Sequence, residues 1–111
     1  MKKPTMGHEV GTDYLIVRLS GRIAGEASID LYREIKNLLE KYENKNLILD
    51  FSHLEFIDSS GLGFLVAVNS TLLKQGRSLT LASVPENLMG LLKITNLDRV
   101  LKIIAKVEDA V

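Results

Sequence analysis

The sequence predicts an α/β domain: a mainly parallel, mixed β-sheet with an antiparallel edge strand and crossover helices. Three observations carry this. Short apolar runs alternate along the chain with longer segments that are apolar at three- and four-residue spacing, the signature of strands and helices taking turns. The run Leu47-Ile48-Leu49-Asp50-Phe51 is too short and too evenly apolar for anything but a buried strand. The turn residues Gly11-Thr12-Asp13 sit just before a β-rich run, as in a hairpin. Strand-helix alternation in one short chain implies right-handed crossovers and parallel neighbours, with the hairpin strand antiparallel at one side.

The elements follow in order. Residues 14–20 place Leu15, Val17 and Leu19 on one face, and a short leading strand around Glu9 and Val10 folds back through the turn to make an edge. Residues 27–42 put Leu31, Ile35, Leu38, Leu39 and Tyr42 at helical spacing, with Arg33, Glu34, Lys36, Asn37 and Glu40 facing away. Asn44-Lys45-Asn46 stops that helix, and the strand at 47–51 is expected to want helices on both of its faces. Residues 60–75 carry Leu62, Phe64, Leu65, Val66, Val68, Leu72 and Leu73, apolar on nearly every side, so this second helix reads as mostly interior. Gly76 falls where a left-handed C-terminal cap belongs. A strand at 78–82 is followed by Ser83-Val84-Pro85-Glu86, with the spacing of a capping box. A third helix then holds Leu88, Met89, Leu91 and Leu92, whose spacing reads as core packing. A last strand is expected at 101–105 and a fraying turn or helix at 107–111. Without linker or repeat, residues 1–111 read as one domain with its core at about 9–105.

Composition narrows the function. Lys and Arg number 14 against 14 Asp and Glu, a formal net charge of +0, so no basic field favours direct nucleic-acid binding or an anionic membrane surface. With Cys 0 there is no disulfide, thiol nucleophile or cysteine zinc site, and no metal is expected. No G-x-x-x-x-G-K occurs, so no nucleotide or other cofactor is expected. Met1-Lys2-Lys3 is followed by Pro4-Thr5-Met6-Gly7-His8-Glu9 rather than an apolar segment. No run approaches the ~20 apolar residues of a membrane span. The expectation is a cytoplasmic protein.

In open sheets, partners meet the loops beyond the carboxyl ends of the strands: here the loops expected at 21–27, 52–59 and 83–85. The stretch FIDSSGLG, residues 56–63, lies on that rim. With a helix starting at Ser60 or Gly61, Asp58 or Ser59 is the N-cap, its side-chain oxygen accepting an orphan amide. Capping accounts for one such residue. Gly61 and Gly63 each cost about 1 kcal/mol against alanine inside a helix unless close approach or special torsions require them. Two readings remain: a capped turn, or a serine kept accessible. A phosphoryl group on Ser59 would face helix amides and add about −1.5 to −2 charges. Ile23, Phe56 and Ile57 flank the serine as apolar loop residues and form the expected partner footprint. Arg22 stands beside them as a contact for an acidic partner or the phosphate, or as a solvated charge. A hydrolase built from His53, Asp58 and Ser59 lacks the G-x-S-x-G elbow. A carrier-protein reading fails because such carriers resemble acidic helical bundles.

Asp50-Phe51 followed by Phe56-Ile57-Asp58-Ser59-Ser60-Gly61-Leu62-Gly63 closely resembles the STAS domain of bacterial anti-sigma factor antagonists, and the order of elements over residues 14–105 resembles it too. The resemblance implies a non-enzymatic switch. Ser59 would be phosphorylated by a partner that is both anti-sigma factor and serine/threonine kinase. The unphosphorylated form would bind that kinase and free a sigma factor, and a protein phosphatase would reset the phosphorylated form. Asp58 would cap the helix and orient the loop, Ser60 would be a neighbouring hydroxyl and cap, and Gly61 and Gly63 would let the partner approach. ATP would belong to the kinase. In one respect the chain departs from the family: Gly21-Arg22-Ile23 is followed by Ala24, where many members carry an acid. The same resemblance implies an alternative, a scaffold or a subunit of a signalling or lipid-transport complex without phospho-switching, and it leaves the oligomeric state open.

Overall fold

The computed structural model describes residues 4–111. The expected hairpin forms, closed by the Gly11 amide donating to the Tyr14 carbonyl at 2.8 Å. It is longer than its sequence signal: β1 (Thr5–Val10) pairs antiparallel with β2 (Tyr14–Ile23) along its whole length. β3 (Asn46–Ile57), β4 (Leu79–Ala82) and β5 (Lys102–Ile104) continue in parallel, in the order β1-β2-β3-β4-β5. The crossovers are α1 (Glu26–Lys41), α2 (Ser59–Lys74) and α3 (Glu86–Ile94), and 3-10 turns occupy Leu97–Arg99 and Val107–Asp109.

The expectation of helices on both faces is corrected. Leu15, Val17, Leu47, Leu49, Phe51, Leu79 and Leu81 share one core with Leu31, Ile35 and Leu39 of α1, Leu65, Val68 and Leu72 of α2, and Leu88 and Leu92 of α3. Among the described residues, the opposite face has only a small cluster of Ile16, Ile48 and Ala82, against which Tyr14, Ile104, Val107 and Ala110 pack. The strand order explains this. Strands laid down in one direction with crossovers of one hand keep every helix on one side, and only a reversal of order would move helices to the other. With one face spare, α2 is also less interior than expected: Val66 and Leu73 are 46% and 62% exposed.

Two further corrections concern the ends of strands. β2 and β3 run past the expected stops at residues 20 and 51, and stay paired from Arg18↔Asp50 to Ile23↔Ile57 across two register shifts. Each shift moves alternation onto the other face, which hid the strand character of residues 52–57. The expected loops at 21–27 and 52–59 thus shrink to short connections. The capping box at residues 83–86 does not form: Pro85 is the N-cap of α3 with no side-chain cap bond. Ser83 instead adopts φ 55° and its amide donates to the Ala105 carbonyl.

Candidate functional site

The ends of β2 and β3 meet at the Cα partners Ile23 and Ile57, and one further ladder-like bond joins them, from the Asp58 amide to the Ile23 carbonyl at 3.2 Å. Asp58 is the N-cap of α2. Its Oδ1 accepts from the amides of Ser60 at 2.9 Å and Gly61 at 3.1 Å. Its Oδ2 accepts from the Gly25 amide at 3.4 Å. One carboxylate therefore satisfies two orphan donors of α2 and ties down the β2–α1 connection. Gly25 was not singled out in the sequence. It is the N-cap of α1 at φ 54°, a torsion that favours glycine, and the signal available was a glycine immediately before the acidic first-turn residue Glu26.

Ser59 is the first residue of α2 and is exposed, as is Ser60. Their hydroxyls stand at the helix start, yet the amides of Ser60 and Gly61 are already engaged by Asp58. Of the helix amides that a phosphoryl on Ser59 is expected to face, those of Ser60 and Gly61 already donate to Asp58 Oδ1. The two glycines separate as well. Gly61 is buried, and a Cβ there would sit 2.2 Å from Ile57 Cγ1. Gly63 is exposed, with nothing within 4 Å of its Cβ position.

Ile23 and Ile57 are buried at 0% and 2% exposure. They end strands and face the helices, supporting the turn from beneath, which corrects their reading as loop residues. Phe56 faces the other way and is half-buried, with the exposed Arg22 guanidinium 4.3 Å from its ring centroid. Ala24 is half-buried. His53 Nδ1 pairs with Ser52 Oγ at 3.1 Å, and Asp58 is bonded to backbone amides, so no hydrogen bond among the described residues joins His53, Asp58 and Ser59 into a triad. Beside Ser60, a shallow groove of about 260 Å³ runs between α1 and α2, lined by Ser28, Ile29, Tyr32, Gly63, Phe64 and Ala67. On the other face of the sheet, Arg18 Nε donates to Asp50 Oδ2 at 3.0 Å, and Oδ1 takes the Ser52 amide at 3.0 Å.

The rim thus has an exposed serine, a committed cap and a cation stacked on an aromatic ring. The sequence profile described as STAS domain matches residues 5–110. The chain belongs to the STAS domain family. A STAS relative from Listeria monocytogenes, named anti-sigma-B factor antagonist, is 30% identical over 84 residues, covering 73% of this chain and 74% of its own. A solved STAS structure described as a candidate anti-sigma factor antagonist from Thermotoga maritima has a TM-score of 0.87 at 27% identity, covering 95% of this chain and 90% of that one. The Bacillus cell fate determinant SpoIIAA, solved in its phosphorylated form, shares the STAS fold with a TM-score of 0.73 at 20% identity, covering 96% of each chain. Among the described residues, no helix of this STAS domain is long and apolar enough to cross a membrane.

Proposed function

We propose that this STAS domain is an anti-sigma factor antagonist switched by phosphorylation at Ser59. Unphosphorylated, it binds an anti-sigma factor that is also a serine/threonine kinase and so frees a sigma factor in the cytoplasm. The kinase transfers the γ-phosphoryl of ATP to Ser59 Oγ: the new P–O bond replaces the bond to the β-phosphate oxygen, ADP leaves, and the hydroxyl proton goes to a base of the kinase. A phosphatase hydrolyses the ester and restores binding. The observation that carries this reading is the exposure of Ser59 on the first turn of α2, directly after Asp58, whose carboxylate already caps the helix. Ser59 is not needed as the cap and is free for modification. The names of the relatives support the antagonist role, and SpoIIAA, solved phosphorylated, supports a switch of this kind in the family.

The test is affinity capture from a native lysate with tagged wild type and Ser59→Asp side by side, with mass spectrometry of the bound proteins and of the bait's Ser59 peptide. The expected result is a serine kinase retained by wild type, lost with Ser59→Asp, and a phosphorylated Ser59 peptide. The same partners on both baits, with no kinase, would reassign the domain to a constitutive scaffold or transport complex.

A further inference from the structure

Arg22 is the one lysine or arginine in the two segments that build the rim. Residues 19–32 contain no other, and residues 51–73 contain none, whereas the same segments carry the carboxylates Glu26, Asp30, Glu55 and Asp58. A dianionic phosphoryl on Ser59 would stand one residue from the Asp58 carboxylate, which itself holds the Gly25 amide next to Glu26. The nearest helix amides do not offset it, because Ser60 and Gly61 already donate to Asp58 Oδ1. A cation within reach would offset that charge, and the position of Arg22 suits it. It is the Cα partner of Phe56 on the adjacent strand. Ser59 lies three residues beyond Phe56, at most about 10 Å along the chain, and neighbouring strands are about 4.8 Å apart. An extended arginine and a phosphoserine together span a separation of that order.

The present contacts of Arg22 leave it available. It is exposed, forms no ion pair among the described residues, and rests on the Phe56 ring. Such stacking at an exposed site is weak, whereas a guanidinium matches phosphate with two parallel charge-assisted hydrogen bonds. We propose that phosphorylation of Ser59 draws Arg22 off Phe56 to pair with the phosphoryl group, so that the modified rim differs in two places: a partly neutralised phosphate and an uncovered aromatic ring. This rests on the reading of Ser59 as the phosphorylated residue. It gives a partner that must tell the two forms apart more than one charge to read.

The experiment uses the full chain with phosphoserine installed at position 59 during synthesis, without any kinase. Phosphorus NMR follows its second ionisation, ordinarily near pH 6, in the parent, Arg22→Gln, Arg22→Lys and Arg18→Gln backgrounds, each checked for folding by circular dichroism. The expected result is a second pKa about half a unit higher in Arg22→Gln than in the parent, most of the difference recovered by Arg22→Lys, and no change in Arg18→Gln, whose charge is engaged with Asp50. The Phe56 ring signals are expected to move on phosphorylation in the parent and not in Arg22→Gln. Superimposable phosphate titrations of parent and Arg22→Gln would overturn the proposal. Because phosphoserine is placed synthetically, that failure counts against Arg22 alone, while absence of Ser59 phosphorylation in the lysate experiment counts against the switch and leaves the titration unaffected.

Discussion

A Cβ added at Gly61 would lie 2.2 Å from Ile57 Cγ1 and 3.1 Å from the Ile23 carbonyl oxygen, whereas one at Gly63 meets nothing within 4 Å. In sequence the two glycines look alike, and both read as room for a partner. The structure gives Gly61 an internal reason: the first turn of α2 lies directly on the ends of β2 and β3, and only a hydrogen fits between. Gly63 has no such reason and faces solvent along the α1–α2 groove. Gly61→Ala is therefore expected to destabilise the fold by about 1–3 kcal/mol through overpacking. Gly63→Ala is expected to be neutral or to stabilise by up to about 1 kcal/mol, as alanine does inside a helix. Urea denaturation of both variants decides this, and equal stability would remove the packing account of Gly61. Loss of kinase capture by Gly63→Ala at undiminished stability would mark that position as contact surface.

Among the elements, the ends of α1 and α2 away from the rim are fastened by one side chain. Gly76 takes φ 69° after α2, and the amides of Gly76 and Arg77 return to the carbonyls of Leu73 and Leu72, the Schellman pattern expected from glycine at that position. Arg77 then turns inward, 8% exposed, and donates to the carbonyls of Lys45 at 2.6 Å, Leu39 at 3.0 Å and Tyr42 at 2.8 Å. The end of α1 and the start of β3 are thus tied to the turn before β4. Arg77→Leu is expected to cost about 2 kcal/mol or more, because the carbonyls lose a charged donor while remaining largely shielded from water. An unchanged denaturation midpoint in guanidinium chloride would refute this. The glycine stop was legible in the sequence. The arginine was not, because its partners are carbonyls brought together only by the fold, and carbonyls carry no residue signature.

For the whole molecule, the buried Asp50 makes stability depend on acid. Burial pushes its carboxyl upward, but the Ser52 amide, the Arg18 hydrogen bond, the Ser52 hydroxyl and the Arg18 charge together outweigh it and hold the group below its ordinary value of 3.8. A group whose folded pKa is depressed binds its proton more readily in the unfolded chain. Its contribution is thus complete above about pH 4 and is lost as pH falls through the lower, folded value. Wild type is expected to lose stability more steeply than Asp50→Asn below pH 4, so that the gap between them at pH 7 narrows on acidification. Denaturation curves at pH 7 and at several points below 4 measure this, and a constant gap would exclude Asp50 as the source.

Local sequence was enough for the kinds and order of the elements, the antiparallel edge, a cap at the start of α2 from either Asp58 or Ser59, and the resemblance that marks Ser59. Each rests on local periodicity, turn chemistry or a contiguous motif, and none needs distant residues to be placed. The fold was needed to show that the three helices share one face, that Asp58 is the cap, that β2 and β3 extend to Ile23 and Ile57, and that those two isoleucines lie beneath the site. It also placed Arg22 on Phe56 and gave the Asp58 carboxylate a second duty at Gly25. These depend on strand register after a bulge and on contacts across more than thirty residues, and a one-residue shift in register reverses which side chains face a partner.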